Sequence, residues 1–401
     1  MIKDFEKKVK AYALKNSLAH EGVAMQSPVI SSLFNEGLKR NEVGKYAKKI
    51  SEIILGINSL SIEEQKKQFE KLEKKVSERH EREGLEELPD VDKKKGVVMR
   101  FAPSPSGPFH IGHALTASIS FLYVKKYKGK LYVRIEDTNP ENIYPKAYEM
   151  IKDESKWLFD GIAEIVIQSE RMNLYYDYAE RLINKKAAYV CTCSQEKFKK
   201  FVDGKKDCPC RKNTVKQNLE KWNKMLDKKG YKEGDAVVRF KSNMKHKNPA
   251  MRDFPLARIN LHKHPLQKSK YRVWPLMNLA VTVDDIEMKM THIIRAKDHR
   301  DNAERQKMIY EVLGKKFPWT AFLGRIHFKD LELSTTNFRK AIERGKYSGW
   351  DDKRLPTIAS LRKQGYKPKA FWGLAERIGL SENDKVMDKE EFFKLLDNFN
   401  E

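Results

Sequence analysis

Two histidines set three residues apart, His110 and His113, follow a stretch of chain that cannot be helical. In RFAPSPSGPFHIGHA, residues 100–114, Pro103, Ser104, Pro105 and Ser106 stand ahead of Gly107 and force a loop. The helix expected next opens on His110, Ile111, Gly112 and His113, which puts both imidazoles at the positive end of a helix. Such an end suits a triphosphate, because free amides and the helix dipole favour anions while the imidazoles can donate hydrogen bonds to phosphate oxygens. Gly112, lacking a side chain, lets a flat base approach the backbone. A plain helix start with surface histidines is the alternative reading of the same string.

The four cysteines, Cys191, Cys193, Cys208 and Cys210, fall within one short window as two C-x-C pairs. In a reducing compartment disulfides are disfavoured, and four thiolates at this spacing suit a tetrahedral structural Zn2+. The spacing departs from the commoner C-x2-C knuckle, and reduced thiols without metal are the alternative. No catalytic role is expected of them, since they lie far in sequence from the histidine loop.

The elements that must position these groups alternate. GVVMRF reads as a buried strand, PSPSGP as a loop, IGHALTASISFLYVKKY as a helix, KLYVRIED as a second strand and PKAYEMIKDESKWLF as another helix. Strand and helix in alternation predict a Rossmann-like, doubly wound parallel sheet, whose ligands lie at the carboxyl ends of the strands. Residues 187–260 break the alternation and read as an inserted α+β subdomain, with a helix near 215–228 and a strand in GDAVVRFKS. The parallel pattern is expected to resume in RVWPLMNLAVTVDD and THIIRAKDH, and the chain to turn helical after about residue 330. Before the first strand, SLSIEEQKKQFEKLEKKV spaces Leu60, Ile62, Phe69, Leu72 and Val76 for one helical face behind an N-capping Ser61.

The predicted organisation is a helical N-terminal extension over 1–80, a linker over 81–96, the two halves of a nucleotide-binding domain over 97–186 and 261–330, the insert over 187–260, and a signature loop with helical connector over 331–401. The 401 residues carry 80 Lys+Arg against 56 Asp+Glu, a net charge of +24, and 40% are hydrophobic. That composition excludes wholesale disorder. A diffuse positive field favours a nucleic-acid partner, although lysine-decorated helix faces would give the same count. No stretch is apolar enough to span a bilayer and the start lacks a secretory signal, so a soluble, cytoplasmic protein with no membrane partner is expected.

The 100–114 segment resembles the HIGH signature of class I aminoacyl-tRNA synthetases, in the form typical of archaeal and eukaryotic glutamyl-tRNA synthetases. RIEDTNP (134–140), VIQSERMNLYYDYAERLI (166–183), YVCTC, CPCR, RDFPLARI, YRVWP, VDD, IIRAKDHRDN (293–302) and YSGWDDKRLPT (347–357) resemble that family in order and spacing. Glutaminyl-tRNA synthetases typically carry PPEPNG and RFDDTNP where this chain has APSPSG and RIEDTNP, which favours glutamate. The resemblance implies ATP with Mg2+, L-glutamate and the acceptor arm of tRNA as substrates and partners.

It also implies roles for individual residues. His110 and His113 would hold the phosphates and Gly112 the adenine. Arg100, Glu136 and Arg295 would meet the carboxylates and ammonium of glutamate, with Ala102 and Ser104 beside them. LELSTTNFRK (331–340) falls where the family carries its second signature loop, typically LSTSK or KMSKS; the usual lysine is replaced by Asn337, and Arg339 and Lys340 are the nearby cations. Met277 stands where a tyrosine is usual, and Lys289 where a glycine is usual. The resemblance is to relatives that continue into anticodon-binding β-barrels, which this chain is expected to lack: they would be on a separate chain, outside this sequence, or lost. The expected reaction is ATP-dependent ligation of glutamate to tRNA through an adenylate. A paralogue glutamylating another acceptor and a silent tRNA-binding protein are the rival expectations.

Overall fold

The structure, a computed structural model, describes residues 4–34, 36–38, 42–76 and 84–400. Backbone contacts divide the chain into two units, Met1–Arg82 and Glu83–Glu401. In the first unit, α1 (Phe5–Ala19) packs against α2 (Gln26–Phe34), α3 (Val43–Asn58) and α4 (Ile62–Leu72), and Val9, Leu14, Val29, Leu33, Ile50 and Ile54 share one core. Helix α4 starts where the sequence places its cap. The Ser61 hydroxyl accepts the Glu64 amide at 3.3 Å and the Glu64 carboxylate accepts the Ser61 amide at 2.9 Å, a reciprocal capping box.

The buried face of α4 differs from the expected one. Ile62 is 48% exposed, whereas Gln65 is fully buried. Its Nε2 donates to the carbonyls of Gly22, Ile57 and Leu60 at 2.9, 3.0 and 3.2 Å. Those carbonyls lie past the end of α1 or in and past the last turn of α3, and the two N–H groups of one side-chain amide are shared among them.

The second unit opens with β1 (Val98–Phe101), α5 (Ile111–Lys126), β2 (Lys130–Ile135), α6 (Ala147–Leu158) and β3 (Glu164–Ile167), followed by α7 (Met172–Asn184). Strands β1, β2 and β3 pair in parallel, with Arg100 opposite Tyr132 and Arg134 opposite Val166. Next come β4 (Ala188–Cys191), α8 (Gln195–Asp203), α9 (Val215–Leu226), β5 (Val237–Phe240), β6 (Pro255–Ile259) and β7 (Val273–Pro275); the four strands form an antiparallel sheet in chain order. Then α10 (Met277–Glu287), β8 (His292–Ala296), α11 (Arg300–Val312) and β9 (Trp319–Leu323) restore the parallel pattern, β8 pairing with β9. Thr291 donates its amide to the Val98 carbonyl at 3.0 Å and its hydroxyl accepts the Val98 amide at 2.9 Å, which brings the start of β8 beside β1. The parallel strands therefore run β3, β2, β1, β8, β9 across a Rossmann-like sheet. The chain ends with β10 (Ile326–Phe328), α12 (Thr335–Glu343), α13 (Ile358–Lys363), α14 (Pro368–Ile378), β11 (Lys385–Met387) and α15 (Lys389–Asp397), β10 and β11 pairing in parallel.

Two sequence expectations change here. RVWPLMNLAVTVDD does not resume the parallel sheet: its first residues form β7, the last strand of the antiparallel sheet, and Met277 onward is helix α10. Of the segment read as a linker, 81–83 lie outside the described residues, and from 84 the chain is bound to the sheet. Leu88 is buried, its amide donates to the Tyr127 hydroxyl at 2.9 Å, and the Pro89 carbonyl lies 2.8 Å from His292 Nε2. Helix α5 is buried on most of its circumference because β1, β2 and β8 cover one side and α14 the other.

Candidate active site

The loop after β1 delivers His110 as the N-cap of α5. Its Nδ1 accepts the amides of Gly112 at 3.1 Å and His113 at 3.3 Å, so the ring caps its own helix and carries its proton on Nε2. The His113 ring stacks on it with centroids 3.7 Å apart, and His113 Nδ1 is buried without a partner among the described residues. Burial pushes both imidazoles below their ordinary range, His113 to about 4, so both are neutral donors near pH 7. A side chain on Gly112 would press on the His110 ring, since a Cβ there would lie 3.1 Å from His110 Cε1. The stacked cap itself thus favours glycine, a reason the sequence did not offer.

The connector braces this loop from behind. Ile111 donates its amide to the Pro356 carbonyl at 3.0 Å and Ile358 donates to the Phe109 carbonyl at 2.9 Å. A Cβ on Gly107 would come within 2.9 Å of the Trp350 ring, so Trp350 packs directly on the loop.

A cavity of about 550 Å³ opens in front of the histidines, lined by His110, Gly112 and His113 together with Ala296, Leu323 and Leu333 among others. The second signature segment is not a loop throughout: Ser334 caps α12 by accepting the Asn337 amide at 3.3 Å. Asn337, Arg339 and Lys340 lie on that helix, and none of them lines the cavity. Asn337 Nδ2 donates to Glu332 at 2.5 Å, the Arg339 guanidinium sits 5.6 Å over the Tyr144 ring, and Lys340 borders a separate depression with Arg344 and Lys346. The two signature segments touch where the Ser106 and Thr335 hydroxyls meet at 2.9 Å.

Arg100, Glu136 and Arg295 stand at the carboxyl ends of β1, β2 and β8, and buried charges tie them together. Asp285 of α10 accepts Arg100 Nε at 3.1 Å and Arg134 Nη1 at 2.6 Å, and Arg134 Nη2 donates to Glu136 at 3.0 Å. Neighbouring Asp284 accepts from Arg171 Nε at 2.7 Å, and from Gln168 and Tyr175 at 2.8 Å. Burial opposes the charge of Asp285, yet the Arg100 and Arg134 guanidiniums hold its carboxyl below the usual range.

Arg295 differs from the rest. Only 8% exposed, it donates Nη1 to the neutral Gln306 Oε1 at 2.8 Å, and its Nε has no partner among the described residues. Burial, reinforced by the nearby Arg100 charge, pushes it down to about 10. In this network four guanidiniums (Arg100, Arg134, Arg171, Arg295) face three carboxylates (Glu136, Asp284, Asp285), and the unmatched positive charge rests on Arg295. A buried cation with a free N–H is a site for an incoming anion. Ala102 is half-buried and Ser104 exposed on the loop between Arg100 and His110.

The four cysteine sulfurs converge, all within 4.8 Å of one another. Sγ–Sγ separations of 3.6 Å (Cys191–Cys208), 3.5 Å (Cys193–Cys208) and 3.9 Å (Cys193–Cys210) match the roughly 3.8 Å edge of a tetrahedron with Zn–S bonds of about 2.3 Å. The donor set and its geometry therefore fit zinc.

The loop, the cavity before a helix N-terminus and the buried charged cluster sit at the carboxyl edge of a parallel sheet, and comparison with known proteins resolves what such an assembly is. Residues 96–398 match the family described as tRNA synthetases class I (E and Q), catalytic domain. This chain belongs to that family. It is 42% identical over 391 residues to a glutamate–tRNA ligase of Methanocaldococcus jannaschii, covering 97% of this chain and 70% of the relative. It is likewise 42% identical over 394 residues to one from Pyrococcus furiosus, covering 96% of this chain and 68% of the relative. Among solved structures, a glutamate tRNA ligase from Elizabethkingia meningosepticum in complex with its amino acid is similar with a TM-score of 0.50 and 25% identity, over 70% of this chain and 60% of that one.

Membership of class I implies the use of ATP and Mg2+. No carboxylate among the described residues lines the cavity; Mg2+ riding on the triphosphate would offset phosphate charge there without a carboxylate ligand from this chain. No helix among the described residues is long and apolar enough to cross a membrane. Sequence reasoning missed Arg134, Asp285 and Gln306. The signal for the first two was present, in an arginine inside an otherwise apolar strand and an Asp-Asp pair ending an apolar helix; Gln306 carried none.

Proposed function

We propose that this chain catalyses ATP-dependent ligation of L-glutamate to the 3′ end of tRNA(Glu), with the glutamate carboxylate attacking the α-phosphate of ATP to give an enzyme-bound adenylate, and the terminal ribose hydroxyl then taking the acyl group. Diphosphate leaves in the first step and AMP in the second. The observation that carries the reading is the unmatched, buried guanidinium of Arg295 within one network with Arg100 and Glu136. A dicarboxylate with one ammonium needs such a free cation, a second guanidinium and one carboxylate.

On this reading His110 and His113 meet phosphate oxygens through neutral N–H donors at the start of α5, and Gly112 lies against the adenine. Arg100 and Arg295 meet the glutamate carboxylates, Glu136 meets the ammonium, and Ala102 and Ser104 border the amino acid. Asn337, Arg339 and Lys340 would reach the triphosphate only through a movement of α12, with Ser106 and Thr335 as the contact about which the two segments turn. The reaction needs orientation and charge stabilisation and no base of shifted pKa. Cys191, Cys193, Cys208 and Cys210 would hold a Zn2+ that fixes α8 and the start of α9 to β4, in an insert over 187–260 that takes the tRNA acceptor arm. Cytoplasmic residence fits free thiols and these substrates.

Charging of tRNA with labelled glutamate tests the proposal. The parent chain should transfer glutamate to tRNA(Glu), and Arg295→Ala should lose amino-acid activation while still binding ATP; equal activation by the two would remove Arg295 from the site.

A further inference from the structure

We infer that Gln306 is a specificity-determining residue, which keeps the Arg295 guanidinium positioned but unneutralised and so makes the pocket demand a negatively charged side chain. The inference rests on the glutamate reading and deepens it. Every other guanidinium of the network is held by a carboxylate: Arg100 and Arg134 by Asp285, and Arg171 by Asp284. Arg295 alone is held by an amide. Gln306 on α11 is 1% exposed and accepts Arg295 Nη1 at 2.8 Å, while its own Nε2 lies 3.5 Å from Asn278 Oδ1 on α10. A guanidinium only donates, so the amide oxygen is the atom that meets it, and the longer Nε2 contact agrees with that orientation.

A carboxylate at this position would hold Arg295 in the same place and cancel its charge. The amide gives orientation without cancellation, and the Nε–H is left buried without a partner among the described residues. A pocket with one uncompensated positive charge is completed by a carboxylate and left unsatisfied by a carboxamide, which is how glutamate is told from glutamine. The attraction of nearby Asp285 and Glu136 is outweighed at Arg295 by burial and by the Arg100 charge, and His299 beside it is pushed down by burial and by that same guanidinium.

Gln306 acts through Arg295, so it is a positioning residue, and its test must separate charge from packing. The probes are Gln306→Glu, which keeps the shape and adds a charge, and Gln306→Met, which keeps the approximate volume and adds none. Amino-acid-dependent ATP–pyrophosphate exchange is measured for each with glutamate and with glutamine. Gln306→Glu should raise the KM for glutamate by roughly tenfold to a hundredfold, the range for one charge-assisted hydrogen bond, with kcat and the KM for ATP nearly unchanged. The preference for glutamate over glutamine should fall with it. Gln306→Met should raise the glutamate KM less and keep the preference. An unchanged glutamate KM in Gln306→Glu, or equal loss of preference in both variants, would overturn the assignment to Gln306 while leaving parent activity intact. No glutamate-dependent exchange by the parent would instead defeat the functional reading itself.

Discussion

The carboxyl of Glu154 on α6 accepts the backbone amide of Phe109 at 2.5 Å, one residue before the histidine that caps α5. Glu154 is 2% exposed, and burial pushes its carboxyl up to about 8, against the smaller opposing pull of that amide and of Arg362. The position of His110 thus depends on a carboxyl that is protonated near neutral pH.

A pH dependence follows. An acid whose folded pKa stands above its ordinary 4.5 adds stability that is complete below about 4.5 and is lost as pH rises through about 8. His110 and His113 work in the other direction. Their depressed values give stability that is present above the ordinary 6.5 and lost as pH falls toward about 4. The difference between parent and Glu154→Gln isolates the carboxyl. Denaturant midpoints across neutral pH should show the parent losing on the order of a few kcal/mol relative to the variant as pH rises to about 8 and beyond. Parallel pH profiles would contradict the assignment.

Arg134 is wholly buried and bridges Asp285 and Glu136. Arg134→Gln leaves those carboxylates uncompensated and should cost roughly 3–5 kcal/mol in chemical denaturation. The cost should be larger than for Arg171→Gln, whose side chain is 27% exposed. Loss of less than about 1 kcal/mol would mean that the network relaxes or takes in water.

Much of this arrangement was legible in the sequence. The strand and helix around residues 100–114 were read from turn chemistry and period, both local properties. NLAVTVDD was misread because Leu279, Ala280, Val281 and Val283 are all buried, and a helix covered on every side leaves no polar stripe to reveal its period. The partners Arg134 and Asp285, and Arg295 and Gln306, are joined by tertiary folding or by the direction a helix faces. Nothing in their types at those positions announces the pairing.

Lys289, where the family usually has glycine, adopts φ +56° just beyond α10. Its amide bonds the Ile286 carbonyl at 3.1 Å and the Met290 amide bonds the Asp285 carbonyl at 2.9 Å, the pattern of a Schellman helix end. A left-handed residue there favours glycine, so Lys289→Gly should raise stability by roughly 0.5–1 kcal/mol. A lower melting temperature would show that the lysine side chain makes up the strain.

The cysteine cluster predicts about one Zn2+ per chain by elemental analysis, removable by a strong chelator. Its removal should raise amide exchange across β4, α8 and the start of α9 while β1, β2 and β3 stay protected. Cys208→Ser should reproduce the effect, since Cys208 Sγ lies within 3.6 Å of both Cys191 and Cys193. A metal-free preparation with the same exchange pattern would argue for plain thiols.

On the proposed function, an uncompensated Arg295 in one network with Arg100 and Glu136 makes this chain an activator of glutamate. ATP–pyrophosphate exchange by the purified chain, with glutamate or glutamine and with or without tRNA, tests it most directly. Exchange should depend on glutamate, be far weaker with glutamine and be abolished in Arg295→Ala. Exchange absent under every tRNA condition, or supported equally by glutamine, would contradict it.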